Sequence, residues 1–463
     1  MIKNIRLFVG VTLLLVTFSS CYRNEFGVVD LTMPEDNINE TIEGKYVYHH
    51  PCAMYNETDF TRVKTMLDNG TAPEEVKQEF ENLKMSRFTM LTYLPEPQEE
   101  IVRGDATGTT AGKETFGYAA EDATAAYQMA ILWKLTDDKR YADLSIKILN
   151  AWADVCKRIT SNDAHQVLTA GAQGHTFANA AEIMQTYEGW NENDLADFKK
   201  WMVDVFAPVN KEFMETHRGT NNCSLHYWSN WDLVNMCSYL AIGILTENDD
   251  MVNYVVNYFY SGIGNGCISN LIQATFEDPL GSGEQICQNQ ESGRDQAHAC
   301  MSMAVTANLC QMAYTLYRDN TAVPQLDFFS ANDNAIMKMG EYVALFNLRN
   351  GSDNKNETGQ WLVSASKMPF KEYKYCIDCS CADKNHGADQ VVVAEAERGE
   401  IRPGWEILYN HYAKMKGLSS GYQYARQFAE KLRPEGGPGD ARYGNNSGAY
   451  DQLGWGTLML YQE

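Results

Sequence analysis

The sequence predicts an all-α protein built from stacked helical hairpins. Three observations carry this reading. Apolar residues recur three and four apart over a dozen segments, the spacing that places them on one helix face. Short polar connections carrying Asn and Asp separate several segments: Thr136-Asp137-Asp138, Trp190-Asn191-Glu192-Asn193 and Glu247-Asn248-Asp249. No stretch sustains strand alternation; Val391 to Ala394 is apolar and β-branched but short. A dozen helices on tight turns must bury their faces on one another, as an open solenoid or a closed α/α toroid.

In chain order, Phe60–Leu67 and Glu74–Met85 read as an opening pair. Glu121–Leu135 reads as a helix with Asp138–Ile159 as its antiparallel partner. His175–Tyr187, Asn193–Phe206, Ser229–Leu245, Asp249–Tyr260, Asp295–Tyr317, Asn332–Phe346, Trp405–Lys416 and Tyr422–Leu432 follow.

The N-terminus reads as an export signal. Lys3 and Arg6 give a basic start, and Leu7 to Phe18 is an apolar run too short to span a bilayer. It ends in Ser19-Ser20-Cys21, small residues before a Cys, as in a loose bacterial lipoprotein cleavage box. The expected organisation is a lipoprotein signal peptide over 1–21, a polar tether over 22–44 and one helical domain over 45–463. The chain is then exported and lipid-anchored at Cys21, in the periplasm or at the outer-membrane surface. It meets the membrane only through that anchor. Twelve cysteines, less the anchor, leave an odd number, so one thiol at least stays free or pairs with another molecule. Cys237, Cys300 and Cys310 fall in apolar helical stretches and read as buried small hydrophobes.

A formal net charge of −23 excludes nucleic acid as a partner, because that surface must be basic. It does not exclude an anionic ligand. Charge is screened beyond ~10 Å at ordinary salt, so a local Arg, His and Asn cluster can hold a carboxylate in an acidic molecule. Aromatic side chains suit sugar faces and helical cores alike, so their number does not decide.

Unusual chemistry gathers at four places. The first, Leu168 to Glu182, puts His175 and Asn179 four apart on one helix face. The second, Thr220 to Asp232, packs Asn221, Asn222, His226, Tyr227, Trp228, Asn230 and Trp231 into one short stretch. Amides bind carboxylates and hydroxyls, and indoles stack on sugars. His226 is the best single base candidate, with an unperturbed pKa of ~6.5. The third, Gly281 to His298, carries Gln290, Arg294 and His298; Arg suits a bidentate hold on a carboxylate. The fourth, Arg433 to Gly456, is a glycine-rich run carrying Arg442, Tyr443 and Tyr450. Each also has a plain structural reading, in which the amides cap helices, the rings fill the core and Arg294 pairs with Glu291 or Asp295. Cys376-Ile-Asp-Cys379-Ser-Cys381 has the spacing of part of a zinc site but lacks a second Cys pair, and no cofactor is required by the rest of the sequence.

Five stretches together resemble the alginate lyase superfamily of α/α-toroid polysaccharide lyases, in particular its exported Bacteroidetes-type members. They are Leu168–Ile183 (LTAG-x-QG-x3-ANAAEI), Asn221–Trp231 (NN-x3-HYWSNW), Glu291–His298 (ESGRDQ-x-H), Arg402–Glu406 (RPGWE) and Asn446–Leu458 (NSG-x-YDQLGWGTL). The resemblance implies an incomplete α/α toroid as a single main catalytic domain. It implies β-elimination on a β-1,4-linked uronate polymer such as alginate (polymannuronate) or glucuronan. By position, Asn222 (or Asn179) would neutralise the C6 carboxylate, His226 would act as base or second neutraliser, Arg294 would clamp the carboxylate and His298 would assist. His175, Asn179, Asn221, Trp231, Gln290 and Tyr443 would line the substrate. The sequence departs from the pattern in two places. Asn222 is followed by Cys223 rather than His, and no Tyr closely follows Arg294. The general acid is therefore open among Tyr227, Tyr443 and Tyr450.

Two other functions compete. A toroidal glycoside hydrolase needs two carboxylic acids flanking the bond, drawn from Glu182, Glu284, Glu291 and Asp295. A non-catalytic glycan-binding surface lipoprotein would use the anchor, the helices and the Trp residues, and would not need Asn222, His226 and Arg294 together.

Overall fold

The computed structural model describes residues 41–104, 114–161, 163–219, 224–350, 359–374, 389–444 and 447–462. The signal peptide, Cys21, Asn221, Asn222 and the Cys376–Cys379–Cys381 group lie outside them.

Among the described residues, helix is the main secondary structure. It opens with α1 (Glu57–Asp68) and α2 (Glu74–Met85), then runs through α3 (Phe116–Thr136), α4 (Lys139–Val155), α5 (Gln166–Met184), α6 (Glu192–Trp201), α7 (Ala207–Thr216), α8 (Ser229–Leu245) and α9 (Asp249–Ser261). The short α10 (Ile268–Leu271) precedes α11 (Gln296–Tyr317), α12 (Ala331–Asn347), α13 (Trp405–Tyr409), α14 (Gln423–Leu432) and α15 (Gly456–Met459).

Burial sorts these helices into two layers. α3, α5, α8 and α11 are buried on nearly every face, as inner helices must be. They pack in sequence, α3 on α5, α5 on α8 and α8 on α11. α4 buries only the stripe Ala142, Ser145, Ile148, Leu149 and Trp152, and packs on α3 from outside. α7 and α9 flank α8 in the same way, and α14 covers α12 and α13. α15 packs on α1, α2 and α13, so the first and last described helices meet. This is an incomplete α/α toroid of helical hairpins, as expected.

Several helix bounds differ from the expectation. α5 starts at Gln166 rather than His175, because Gly171 and Gly174 are helical. A Cβ at Gly171 would collide with Val234, and one at Gly174 with Ser238, so the two glycines permit the close α5–α8 approach. α7 was not expected; Pro208 sits in its first turn, where a missing N–H costs nothing. Three two-stranded ribbons also appear: parallel β1 (Glu100–Val102) with β2 (Arg158–Thr160), antiparallel β3 (Ile272–Glu277) with β4 (Gln285–Asn289), and antiparallel β5 (Tyr373–Lys374) with β6 (Asp389–Gln390). β2 occupies the end of the expected Asp138–Ile159 helix. The cysteines at 237, 300 and 310 are buried, as expected, and so are Cys52, Cys156, Cys267 and Cys287.

The segment before α1 is tied down by side-chain amides. Asn257, Asn253 and Asn320 each accept from a backbone N–H and donate to the carbonyl of the same residue, at Ile42, Gly44 and Val47 respectively. Each amide imitates a strand partner.

Buried carboxylates do a second kind of tying. Glu341 of α12 accepts from Tyr424 N (3.0 Å) and Ala425 N (2.7 Å) at the start of α14. Glu435 accepts from Gly404 N (2.6 Å) and Trp405 N (2.8 Å) at the start of α13. Glu79 of α2 receives Gly436 N and Leu458 N. These helix starts lack caps from their own N-cap side chains, and the remote carboxylate supplies the acceptor. Burial pushes the Glu341 carboxyl up to about 8 and that of Glu435 up to about 7, against the opposing pull of the backbone donors.

A pH dependence follows for Glu435. The folded state holds its proton to about pH 7, whereas the unfolded chain ionises near ~4.3. Between these limits the native state binds more protons, so its contribution to stability falls as pH rises. Glu435→Gln, which keeps an acceptor and no charge, is expected to remove that part of the decline in urea midpoints measured from pH 5 to 8. Glu435→Ala orphans the helix-start donors and is expected to lose roughly 3 kcal/mol across the range.

Candidate active site

The loop before α8 and the turn before α11 are joined by one carboxylate. Glu291 is fully buried. It accepts from Asn230 N (2.8 Å), Asn230 Nδ2 (2.8 Å), Ser229 Oγ (3.0 Å), Ser302 Oγ (2.7 Å) and Arg294 Nη1 (2.9 Å). It thereby serves as the N-terminal acceptor of α8, whose own N-cap residue is Trp228. Gln290 assists, accepting from Ser229 N at 3.0 Å, while its carbonyl receives the Tyr373 hydroxyl.

The motif 291–298 then reads as one device. Glu291 fixes Arg294, and the guanidinium lies over the Trp228 ring at 4.9 Å. Arg294 is a quarter exposed, with its Nε 3.6 Å from Asp295. Of its five donors, one on Nη1 goes to Glu291. Asp295 is the N-cap of α11 and accepts from His298 N at 2.8 Å. It also holds His298 Nδ1 at 2.8 Å. A donated Nδ1–H leaves Nε2 as the ring's basic nitrogen. Burial would raise the Asp295 carboxyl, but the His298 hydrogen bond and the charges of His298 and Arg294 outweigh it and hold Asp295 below its ordinary value. The carboxylate therefore stays ionised wherever the protein is folded near neutrality.

Aromatic and charged groups from other loops join this floor. His226 stands edge-on to Tyr227 at 4.8 Å, Tyr227 lies 4.7 Å from Trp231, and Trp231 lies 5.6 Å from His165, just before α5. His165 is itself paired with Asp163 at 2.7 Å. The C-terminal loop enters through Asp451, buried and therefore pushed up, with Arg103, Arg402 and His298 pulling it back down. The N-termini of α5, α8 and α11 thus share one rim, where helix dipoles favour an anion.

The expected site residues divide accordingly. Arg294 and His298 lie on the Glu291-centred assembly, while His226, the buried Tyr227 and Trp231, on either side of Trp228 in the chain, form a ring cluster with His165 and Phe213. Asn221 and Asn222 lie outside the described residues. Gln290 is buried and positions the loop rather than facing a ligand. His175 and Asn179 are both buried in α5, away from that assembly's exposed face. His175 Nδ1 meets Gly171 O, and burial lowers its pKa to about 4. Asn179 Oδ1 accepts from Met54 N, which ties down the N-terminal segment. Tyr443 is also buried, its hydroxyl on Glu435 O. Tyr450 turns its hydroxyl to Arg87 (3.0 Å) and Glu121 (3.4 Å), with its ring against Phe88. Sequence reasoning missed His165, Asp163, Arg103 and Asp451. Only the polarity of Ser161 to Gln166 between two helical patterns signalled any of them.

Glu291→Ala leaves Arg294 and the start of α8 without their shared acceptor. It is expected to cost about 3–5 kcal/mol by urea unfolding. Arg294→Met is expected to cost less than half as much, because Glu291 keeps four neutral donors.

Residues 64–270 match the protein family described as Alginate lyase. No curated protein matches the chain significantly by sequence. Among solved structures, alginate lyase A1-III from Sphingomonas species A1 is similar with a TM-score of 0.54 at 15% identity, over 90% of this chain and 98% of that one. A histidine-to-alanine variant of alginate lyase A1-III complexed with tetrasaccharide gives 0.53 at 13% identity, over 92% and 99%. The apo form of that variant gives 0.55 at 14%, over 90% and 97%. At these identities the likeness is one of fold, and both the fold and the family match are to lyase enzymes. Residues 64–270 thus match the alginate lyase family in sequence, and over nine-tenths of its length the chain shares the α/α-toroid fold of these structures.

Proposed function

We propose that this chain is a polysaccharide lyase that cleaves a β-1,4-linked uronate polymer, alginate (polymannuronate) or glucuronan, by β-elimination. The observation that carries the reading is the arrangement at the start of α11: a Trp-backed, partly exposed Arg294 beside an Asp295–His298 pair, fastened by Glu291 to the 224–231 loop.

β-Elimination needs three things of the protein. The C6 carboxylate must be neutralised so that H5 becomes acidic, and Arg294 supplies a fixed cation for this. Asn222 remains the proposed amide partner from the adjoining loop. A base must take H5; His298 Nε2, with Nδ1 held on ionised Asp295, is built for that role. The electron pair then forms the C4–C5 double bond as the C4–O4 bond breaks, and O4 needs a proton. His226 and Tyr227 are the proposed donors. Trp231 and His165 offer ring faces to neighbouring sugars. Of the carboxylates a hydrolase would use, Glu182 and Glu291 are buried and accept several hydrogen bonds each, and Asp295 is bound to His298. This favours the lyase over the hydrolase.

Incubation with a panel of uronans is expected to generate the near-ultraviolet absorbance of an unsaturated uronate. New reducing ends without that absorbance would indicate hydrolysis and sink the reading. Asp295→Asn still caps α11 but no longer fixes the His298 tautomer. It is expected to lower kcat by roughly 10²–10⁴-fold with little change in KM.

The proposed location follows the N-terminal sequence: export, cleavage before Cys21 and lipid attachment there. Labelled palmitate is expected to be incorporated by cells expressing the full chain and not by those expressing Cys21→Ser.

A further inference from the structure

At the far end of α5 and α8 from the candidate active site, a second group of side chains converges. His50 Nδ1 lies 2.8 Å from Glu182 Oε1 and 3.7 Å from Cys52 Sγ. The three donor atoms all lie within 4.8 Å of one another. Cys52 and Glu182 are buried, and the His50 side chain is 15% exposed. α8 alone separates this group from the Ser229 end by about 25 Å of helix rise.

We propose that His50, Cys52 and Glu182 form a zinc site that clamps the segment before α1 onto the C-terminal end of α5. Imidazole, thiolate and carboxylate are the ligand types zinc takes, and mixed N/S/O sets favour it over the hard cations. The hydrogen bonding points the same way. His50 Nδ1 faces both Glu182 Oε1, an acceptor, and the Gln185 amide nitrogen at 2.9 Å, a donor. One ring nitrogen cannot serve both. The same Gln185 nitrogen donates to Glu182 Oε2, which fixes the amide's orientation and leaves Glu182 Oε1, His50 Nδ1 and Cys52 Sγ as the three converging ligand atoms.

The surroundings fit as well. His50 Nε2 meets Glu247 Oε1 at 3.2 Å, the carboxylate–imidazole relay that orients a metal-bound histidine. Glu182 Oε1 is held by Cys52 N at 2.7 Å. Glu182 belongs to the last turn of α5, and Glu247 follows the last turn of α8. Helix C-termini favour positive charge.

The full chain is expected to retain one zinc per molecule through dialysis, by elemental analysis. Cobalt(II) added after chelation is expected to give a thiolate charge-transfer band and tetrahedral d–d bands. Cys52→Ser should abolish the charge-transfer band while far-ultraviolet circular dichroism stays unchanged. Glu247→Gln, at an exposed position, should weaken zinc binding roughly 10–100-fold without removing a ligand. A folded full chain without stoichiometric zinc overturns the proposal. So does a thiolate band that persists in Cys52→Ser, because other cysteines then hold the ion, and so does unchanged zinc affinity in both variants.

Discussion

The candidate site depends on burying one charge among enough donors. Glu291 has no solvent contact, and its five donors come from the start of α8, from the turn before α11 and from α11 itself. An uncompensated buried carboxylate would be prohibitive; a fully satisfied one is a rigid joint. The joint sets α8, α11, Arg294 and Trp228 in one frame. What remains partly exposed on that frame is the side chains of Arg294 and His298.

The same solution recurs across the molecule. Glu79, Glu341 and Glu435 cap helix or loop backbones from a distance, and Asp122 collects Tyr93, Glu96 N and Trp152. Part of the strongly acidic composition is therefore internal. It is structural wiring between sequence-distant hairpins rather than surface charge.

This wiring explains what the sequence revealed and what it hid. Long inner helices announce themselves by apolar periodicity, so α3, α8 and α11 were legible within a few residues. The front half of α5 was not, because Gly171 and Gly174 look like loop and matter only for contact with α8. α7 hid behind Pro208, and three-residue strands such as β1 carry no periodic signal. At the site, Arg294 and His298 stood out because rare side chains fell at helix spacing. Asn179 and Tyr443 look equally chemical in sequence, yet bury their polar atoms on backbone groups. Burial is a tertiary property, and no local pattern distinguishes a ligand-facing amide from a backbone-facing one. His165 was missed for the converse reason: its partner, Trp231, is 66 positions away.

The amide clamps on Ile42, Gly44 and Val47 have a mechanical consequence. Each holds its residue by two parallel hydrogen bonds, and the three are spaced along an extended segment. A pull from the N-terminal side loads them in shear before it reaches α1 or α5. Tension on that segment would then be absorbed on α9 and at Asn320, leaving the rim formed by α5, α8 and α11 undistorted.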